Sequence, residues 1–377
     1  MINLNNVIEN DIEYEIYKSK INEIEKYLKT FGKTGFWDII KNVGGSERRM
    51  LRLINEMEKE GIISFDKKSS SFYLTGDDKK KHDSYKCHKC NGSCIEIDKF
   101  SRLDNILDEI WENKPLPTLL FDQRPVTRNT SLKRVAYLLT KNDVYNKNIV
   151  FLGDDDLTSI CLGLINKDCN ITVLDADKRL INYINKVAKE KKLKIKAYEY
   201  NVMDEVPKEF LKKFDTLMTD PTPEKIPFTI FTNSAIDLTK DDGIIYTSIY
   251  STAMSKNLDL QKTITDMNLY ITEMIPCFTH YQYIYKLYRD SDIDLINKYN
   301  IKFDDDSICF TETLFRLEKT GKTKKIIIKY SGKDLMGKAT KRAVSNPEEE
   351  VAKEDDYINE LRELIINNKD LKKVSGK

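Results

Sequence analysis

Three consecutive carboxylates, Asp154, Asp155 and Asp156, follow a single glycine, Gly153, at the end of an apolar run, Asn148–Leu152. A nucleotide-binding loop at such a place usually carries several glycines, so that the backbone can approach the ligand. Like charges this close repel one another and need a cationic partner. One of the acids is accounted for as a cap on the following helix, whose N-terminus favours anions. Three of them argue for a bound cation. A run of Asp suits Mg2+; a polyamine or an aminopropyl ammonium suits it as well.

Other acids stand at corresponding places after later apolar runs. Asp175 and Asp177 follow Ile171–Leu174, Asp204 follows Ile195–Glu199, and Asp220-Pro221-Thr222-Pro223-Glu224 follows Phe214–Thr219. An acid after the second strand of a dinucleotide-type sheet commonly holds ribose hydroxyls, and one after the third can meet an adenine amino group. Singly, each reads as a cap or turn residue; together they mark one end of a sheet. S-adenosylmethionine would bring its α-carboxylate against the acidic loop. Decarboxylated S-adenosylmethionine lacks that group and keeps an ammonium and a sulfonium, so the loop favours it. The matching chemistry is in-line attack by an amine on the carbon next to the sulfonium, releasing methylthioadenosine. A carboxylate that holds the amine and takes its proton serves that step. Asp155 and Asp220 are the candidates, with Asp154, Asp156 and Glu224 lining the substrate site.

These loops need a scaffold. Between residues 148 and 330 short apolar strands alternate with amphipathic helices. Strands are expected at Asn148–Leu152, Ile171–Asp175, Ile195–Glu199, Phe214–Thr219, Asp242–Ser248, Tyr270–Phe278 and Ile308–Leu317. Helices are expected at Leu157–Ile165, Lys178–Lys191, Lys208–Lys212, Phe228–Leu238 and Leu258–Met267. That alternation predicts an α/β, Rossmann-like sheet of the kind found in S-adenosyl-ligand transferases, mostly parallel with helices on both faces. Two late, longer strands suggest an antiparallel edge.

Residues 1–80 predict a winged-helix-like domain: helices at Tyr14–Thr30, Phe36–Val43 and Glu47–Glu60, then strands at Ile62–Phe65 and Ser71–Leu74. Ser46 is a natural N-cap for the third helix. Arg48, Arg49 and Arg52 on that helix raise DNA contact, while Glu47, Glu56, Glu58 and Glu60 dilute the patch and suit a packing module. Residues 81–100 form a linker in which Cys87, Cys90 and Cys94 have the spacing of a structural zinc or iron knuckle; free thiols in a linker are the other reading. Residues 101–147 read as a helical connection containing Phe121-Asp122-Gln123, which orders the methylthioadenosine edge or the acceptor in one reading and is a plain interdomain turn in the other. Residues 331–377 form a charged, acidic tail with one helix near Pro347–Ile366, in which Asp355 and Asp356 stand beside Tyr357. The Tyr281–Tyr285 alternation reads as sheet packing, with Tyr281 able to stack on a ligand.

The chain has 377 residues, 40% hydrophobic and 33% charged, enough apolar content for a sizeable core. Its formal net charge of +1 speaks against a polyanionic partner such as nucleic acid, but is compatible with a small polycation. Neither a signal peptide nor an apolar run long enough to span a membrane is evident, which suggests a cytoplasmic protein. Much Lys, Glu and Ile with little Gln fits a thermophile.

Asp122-Gln123-Arg124-Pro125-Val126-Thr127, Gly153-Asp154-Asp155-Asp156 and Asp220-Pro221-Thr222-Pro223-Glu224, behind a winged-helix-like start, resemble the branched-chain polyamine synthases of archaea and thermophiles. The resemblance covers nearly the whole chain. It implies two successive aminopropyl transfers from decarboxylated S-adenosylmethionine to the central nitrogen of spermidine, with no cofactor needed for the chemistry. It also implies a homodimer and an acidic tail that helps hold the polyamine. By the match of motifs, Asp154, Asp155 and Asp156 line the amine and aminopropyl site, Gly153, Asp175 and Asp177 adjoin the nucleoside, Asp204 meets the adenine, and Asp220 and Glu224 face the acceptor. The Asp-Pro-Thr-Pro form departs from the Asp-Pro-Pro of related transferases at Thr222 and Pro223. Two rival readings are an S-adenosylmethionine-dependent adenine-amino methyltransferase acting on nucleic acid, which would want a basic groove, and a DNA-binding regulator that senses a polyamine.

Overall fold

The computed structural model describes residues 11–76, 93, 95–118, 121, 123–250, 254–282, 290–303 and 307–328. In chain order its elements are α1 (Asp11–Phe31), β1 (Thr34–Gly35), α2 (Phe36–Val43), α3 (Glu47–Lys59), β2 (Ile63–Asp66), β3 (Ser71–Leu74), α4 (Asp104–Asn113), α5 (Arg128–Thr140), β4 (Asn148–Leu152), α6 (Thr158–Ile165), β5 (Asn170–Asp175), α7 (Lys178–Glu190), β6 (Ile195–Glu199), β7 (Phe214–Thr219), α8 (Lys225–Leu238), β8 (Thr239–Tyr250), α9 (Met254–Asp266), β9 (Tyr270–Gln282), α10 (Asp290–Lys298) and β10 (Ile308–Glu318). Among the described residues the predicted elements are present with small shifts of their ends, save one. Lys208–Lys212 forms only a 3-10 turn, Lys208–Phe210. The chain is pulled out of helix there because Lys212 takes a left-handed φ of 52° and the amides of Lys212 and Lys213 donate to Asp237 and Leu238 at 2.8 and 3.0 Å.

Among the described residues the chain forms two compact units. One draws on the chain up to residue 93 and on 250–257 and 276–313; the other draws on 95–249, 258–275 and 314–328. This division differs from the expected boundaries: the break near residues 94–95 falls inside the anticipated linker, and 276–313 groups with the N-terminal elements rather than with the rest of 148–330. Packing explains the difference. The apolar faces of α1, α2 and α3 close on Tyr299 and Ile308 as well as on one another. The Tyr299 hydroxyl bonds Asn55 and Glu58 at 3.1 and 2.8 Å, and its ring meets Phe65 and Phe72 edge-on at 5.1 and 5.0 Å.

In this first unit β3 pairs antiparallel with both β1 and β2. Eight of the thirteen residues of α3 are buried, so the helix is enclosed on more than one face. Arg52 makes a bidentate pair with buried Asp292 at 2.7 and 2.6 Å, and Arg48 lies 3.7 Å from Glu47. Ser46 holds the N-cap position of α3 without a side-chain capping bond. Tyr281 is a packing residue: it stacks on Phe310 (centroids 4.3 Å apart) and donates to Glu312 at 2.9 Å.

The sheet associated with the second unit has strand order β6-β5-β4-β7-β8-β10-β9. β4 runs parallel to β5 and β7, as does β5 to β6 and β7 to β8. Ile149, Val150, Phe151 and Leu152 of β4 are at most 2% exposed, the doubly covered pattern of a central parallel strand. Gly163 lets α6 press onto the sheet, since a Cβ there would stand 2.9 Å from Ile195 Cδ1. Strand order reverses between β4 and β7, and in open α/β sheets the ligand crevice lies outside the carboxyl ends of the strands at that switch. Leu152 pairs with both Leu174 and Thr219, so Gly153, Asp175 and Asp220 leave the sheet at one level.

No helix among the described residues is long and apolar enough to cross a membrane. The expectations for Cys87, Cys90, Cys94, Asp122, Asp355, Asp356 and the tail fall outside the described residues.

Candidate functional site

The site is built from the loops that follow β4, β5 and β7, with the segment between α4 and α5 beside them. Gly153 turns the chain at φ 78°. A Cβ there would meet nothing within 4 Å, so glycine answers to backbone conformation rather than to crowding. Each acid then has its own partners. Asp154 accepts from Ser159 N through both oxygens at 3.3 Å and caps α6, while its own amide donates to Asp175 Oδ2 at 3.1 Å. Asp156 accepts from Val126 N at 2.8 Å and from Arg134 Nη1 at 2.6 Å. Asp155 differs: its Oδ2 is buried with no hydrogen-bond partner among the described residues. Leu157 ends the loop with a left-handed φ of 54°, which costs a non-glycine residue about 1 kcal/mol.

Arg134 organises this end of the sheet. It sits on α5, 3% exposed, and its second Nη reaches Asp220. One buried guanidinium therefore ties the loop after β4 to the loop after β7, through the fork geometry that suits carboxylates. Sequence reasoning missed it because its partners lie 22 and 86 residues away. The available signal was the composition of α5, which carries Arg128, Lys133 and Arg134 and no acid. Lys114, also missed, donates to the Asp155 carbonyl at 3.0 Å.

Asp175 accepts backbone bonds on both oxygens, from Asp177 N at 2.8 Å and Asp154 N at 3.1 Å. Asp177 caps α7 through Arg179 N at 2.9 Å and takes the Arg179 guanidinium at 3.1 and 2.8 Å. Gln123 bridges its own segment to this loop: its Oε1 accepts from Thr118 N at 2.9 Å and its Nε2 donates to Asp177 at 3.1 Å. A shallow cleft lies here, lined by Lys114, Pro115, Pro117, Gln123, Asp155 and Asp177 among others. The fold thus brings Gln123, Gly153, Asp154, Asp155, Asp156, Asp175, Asp177 and Asp220 to one place. Asp204 is exposed in the loop after β6, its amide bonded to Asn201 O at 2.9 Å. Glu224 is the N-cap residue of α8 without a capping bond from its side chain.

The electrostatics follow from burial and crowding. Burial pushes the Asp155 carboxyl well above the ordinary range; Asp156, Asp175 and Asp220 push the same way, and Lys114 opposes them. Burial also raises Asp154 well, against its bond from Ser159, and raises Asp156 against the pull of Arg134. Asp175 is raised by burial despite its two backbone bonds. Burial pushes Asp177 up as well, but Arg179 and Gln123 outweigh it and hold that carboxyl below its usual range. Six carboxyls here face the cations Lys114, Arg134 and Arg179. Chemically, such a site takes a small cation, with an acid of raised proton affinity beside it. Among the described residues no group of three or more His, Cys, Asp or Glu side chains is placed to hold a metal ion.

The comparisons with known proteins fit this architecture. An N(4)-bis(aminopropyl)spermidine synthase of Methanocaldococcus jannaschii is 30% identical over 280 residues, 71% of this chain and 79% of that protein. An uncharacterized Methanocaldococcus jannaschii protein is 33% identical over 202 residues, 53% of this chain and 51% of that one, so the chain spans about half the length of that relative. A crystal structure of the branched-chain polyamine synthase from Thermus thermophilus, with N4-aminopropylspermidine and 5'-methylthioadenosine, superposes with a TM-score of 0.64 at 19% identity, covering 88% of this chain and 98% of that one. That likeness establishes the Rossmann-like fold. The model of the branched-chain polyamine synthase A C-terminal domain matches residues 103–337, well over half of the chain, and the chain belongs to that family.

Proposed function

We propose that the protein is an aminopropyltransferase. It moves aminopropyl groups from decarboxylated S-adenosylmethionine to the central nitrogen of spermidine, forming N4-aminopropylspermidine and then N4-bis(aminopropyl)spermidine, and releases 5'-methylthioadenosine each time. The observation that carries this reading is Asp155 Oδ2, a buried carboxylate oxygen without a partner among the described residues, in a cleft where acids outnumber cations. Such an oxygen is matched by an ammonium and would oppose the carboxylate of S-adenosylmethionine itself.

In each transfer the acceptor nitrogen forms a bond to the carbon attached to the sulfonium. The carbon–sulfur bond breaks, and its electron pair leaves sulfur as a neutral thioether. The nitrogen must first be a free amine, so its ammonium proton passes to a carboxylate, Asp155 or Asp220. The first transfer leaves a tertiary ammonium, which must in turn give its proton to a carboxylate before the second attack makes the quaternary centre, so each transfer releases one proton. Asp154 and Asp156 shape the loop, Asp175, Asp177 and Gln123 position the ribose, Asp204 meets the adenine edge, and Glu224 faces the acceptor. In this reading the N-terminal elements are a winged-helix-like packing module, Asp355 and Asp356 of the tail close over the polyamine, and the enzyme works as a cytoplasmic homodimer.

The test is incubation with decarboxylated S-adenosylmethionine and spermidine, followed by mass spectrometry for methylthioadenosine and branched products. Absence of both, with methyl transfer from S-adenosylmethionine to DNA or RNA, would overturn the proposal.

A further inference from the structure

Lys114 is a lysine placed in a site that should bind cations. It follows α4 at its C-terminal end and lines the cleft. Its Nζ is 3.0 Å from the Asp155 carbonyl and 6.0 Å from the centroid of the Trp111 ring. The charged groups that act on it are Asp155, Asp156 and Asp154, the three acids of the loop. Arg134 is committed to Asp156 and Asp220, and Arg179 to Asp177. Among the described residues Lys114 makes no ion pair with a carboxylate; it meets Asp155 through the main-chain carbonyl and acts on the three acids through space, with a flexible stem and a compact ammonium head.

That head is chemically the same group as the primary ammonium of an aminopropyl chain or a polyamine. We propose that Lys114 is a specificity-determining residue: the internal counter-ion of the acidic loop, which an incoming alkylammonium displaces. The claim rests on the polyamine reading of the site. Binding then becomes an exchange of one ammonium for another. A monoamine gains little from the exchange, because it restores only the single positive charge that Lys114 already holds near the loop. A ligand with further positive charges keeps a net gain from the remaining acids. Burial, which lowers the proton affinity of Lys114 against the pull of the three Asp, makes the ammonium easier to give up.

Calorimetric titration of the full chain with spermidine, with propylamine and with neutral methylthioadenosine tests this in wild type, Lys114→Met, Lys114→Gln and Lys114→Arg. Removal of one unit charge from a partly buried site predicts about tenfold tighter spermidine binding in the Met and Gln variants. Propylamine should gain at least as much, methylthioadenosine should bind all four proteins alike, and Lys114→Arg should behave as wild type. Spermidine binding unchanged or weakened in both neutral variants overturns the proposal, as does joint loss of spermidine and methylthioadenosine, which would make Lys114 a strut of the cleft. Turnover is read separately: wild type that binds spermidine but releases no methylthioadenosine refutes the transferase reading and leaves the binding comparison decisive for Lys114.

Discussion

Replacing Arg134 by Met gives the sharpest test of how the acidic site is held together. The guanidinium is 3% exposed, and the side chains of its partners Asp156 and Asp220 are 7% and 15% exposed. Met keeps much of the volume but leaves two carboxylates of like charge, close together and away from water. Breaking a buried ion pair by removing one partner costs about 3–5 kcal/mol. The loss should also depend on pH. Burial already raises the folded-state proton affinity of Asp156, and Arg134 opposes it; without Arg134 the affinity rises further. A carboxyl whose folded pKa exceeds its unfolded value destabilises the fold progressively as pH climbs from the unfolded value through the folded one. The deficit of Arg134→Met should therefore be larger at pH 8 than at pH 5. Adding Asp156→Asn should recover part of it. Guanidinium unfolding of wild type, Arg134→Met and the double variant at both pH values measures this. A deficit below about 1 kcal/mol at pH 8, the size of an ordinary surface pair, or an equal deficit at pH 5, would refute the assignment of Arg134 as the electrostatic keystone.

Two other outcomes are expected. Asp155→Asn should fold normally and lower turnover by about 10²–10⁴-fold, the usual contribution of a general base; wild-type rates in this variant and in Asp220→Asn would remove both residues from the proton transfer. In the first unit, burial pushes the Glu47 carboxyl up to about 7, with Arg48 pulling against it. Stability should then fall as pH rises from the unfolded glutamate value through about 7 and level off above. Glu47→Gln should flatten that slope, a difference of roughly 3 kcal/mol at pH 8, and an unchanged slope in thermal melts would contradict it.

Much of this was legible before any coordinates. β4 and β7 are largely apolar runs followed by Gly153 and Asp220, and their limits follow from period and punctuation alone. The acids at their carboxyl ends could be placed at one site because a parallel sheet puts those ends together. What could not be read is which acid does what. Asp154, Asp155 and Asp156 are neighbours of one type, yet one caps a helix, one holds a guanidinium and one has an oxygen without a partner among the described residues. Those differences depend on Ser159, on Val126 and Arg134, and on Lys114, groups set by the packing of α5 and the α4–α5 segment rather than by spacing. The grouping of 276–313 was hidden for a similar reason: Arg52 and Asp292 are 240 residues apart, and no local pattern announces such a pair.

That long return has a consequence for synthesis. The helices α1–α3 complete their core with Tyr299 and Ile308, which leave the ribosome last among its parts. The N-terminal segment must wait, with part of its apolar face uncovered, while more than two hundred intervening residues are made. A chain begun at residue 103, where the family match starts, would carry the opposite defect, with α10 and its buried Asp292 lacking their Arg52 and Asn55 side of the core. Neither excision leaves the core that α1–α3 share with Tyr299 and Ile308 whole.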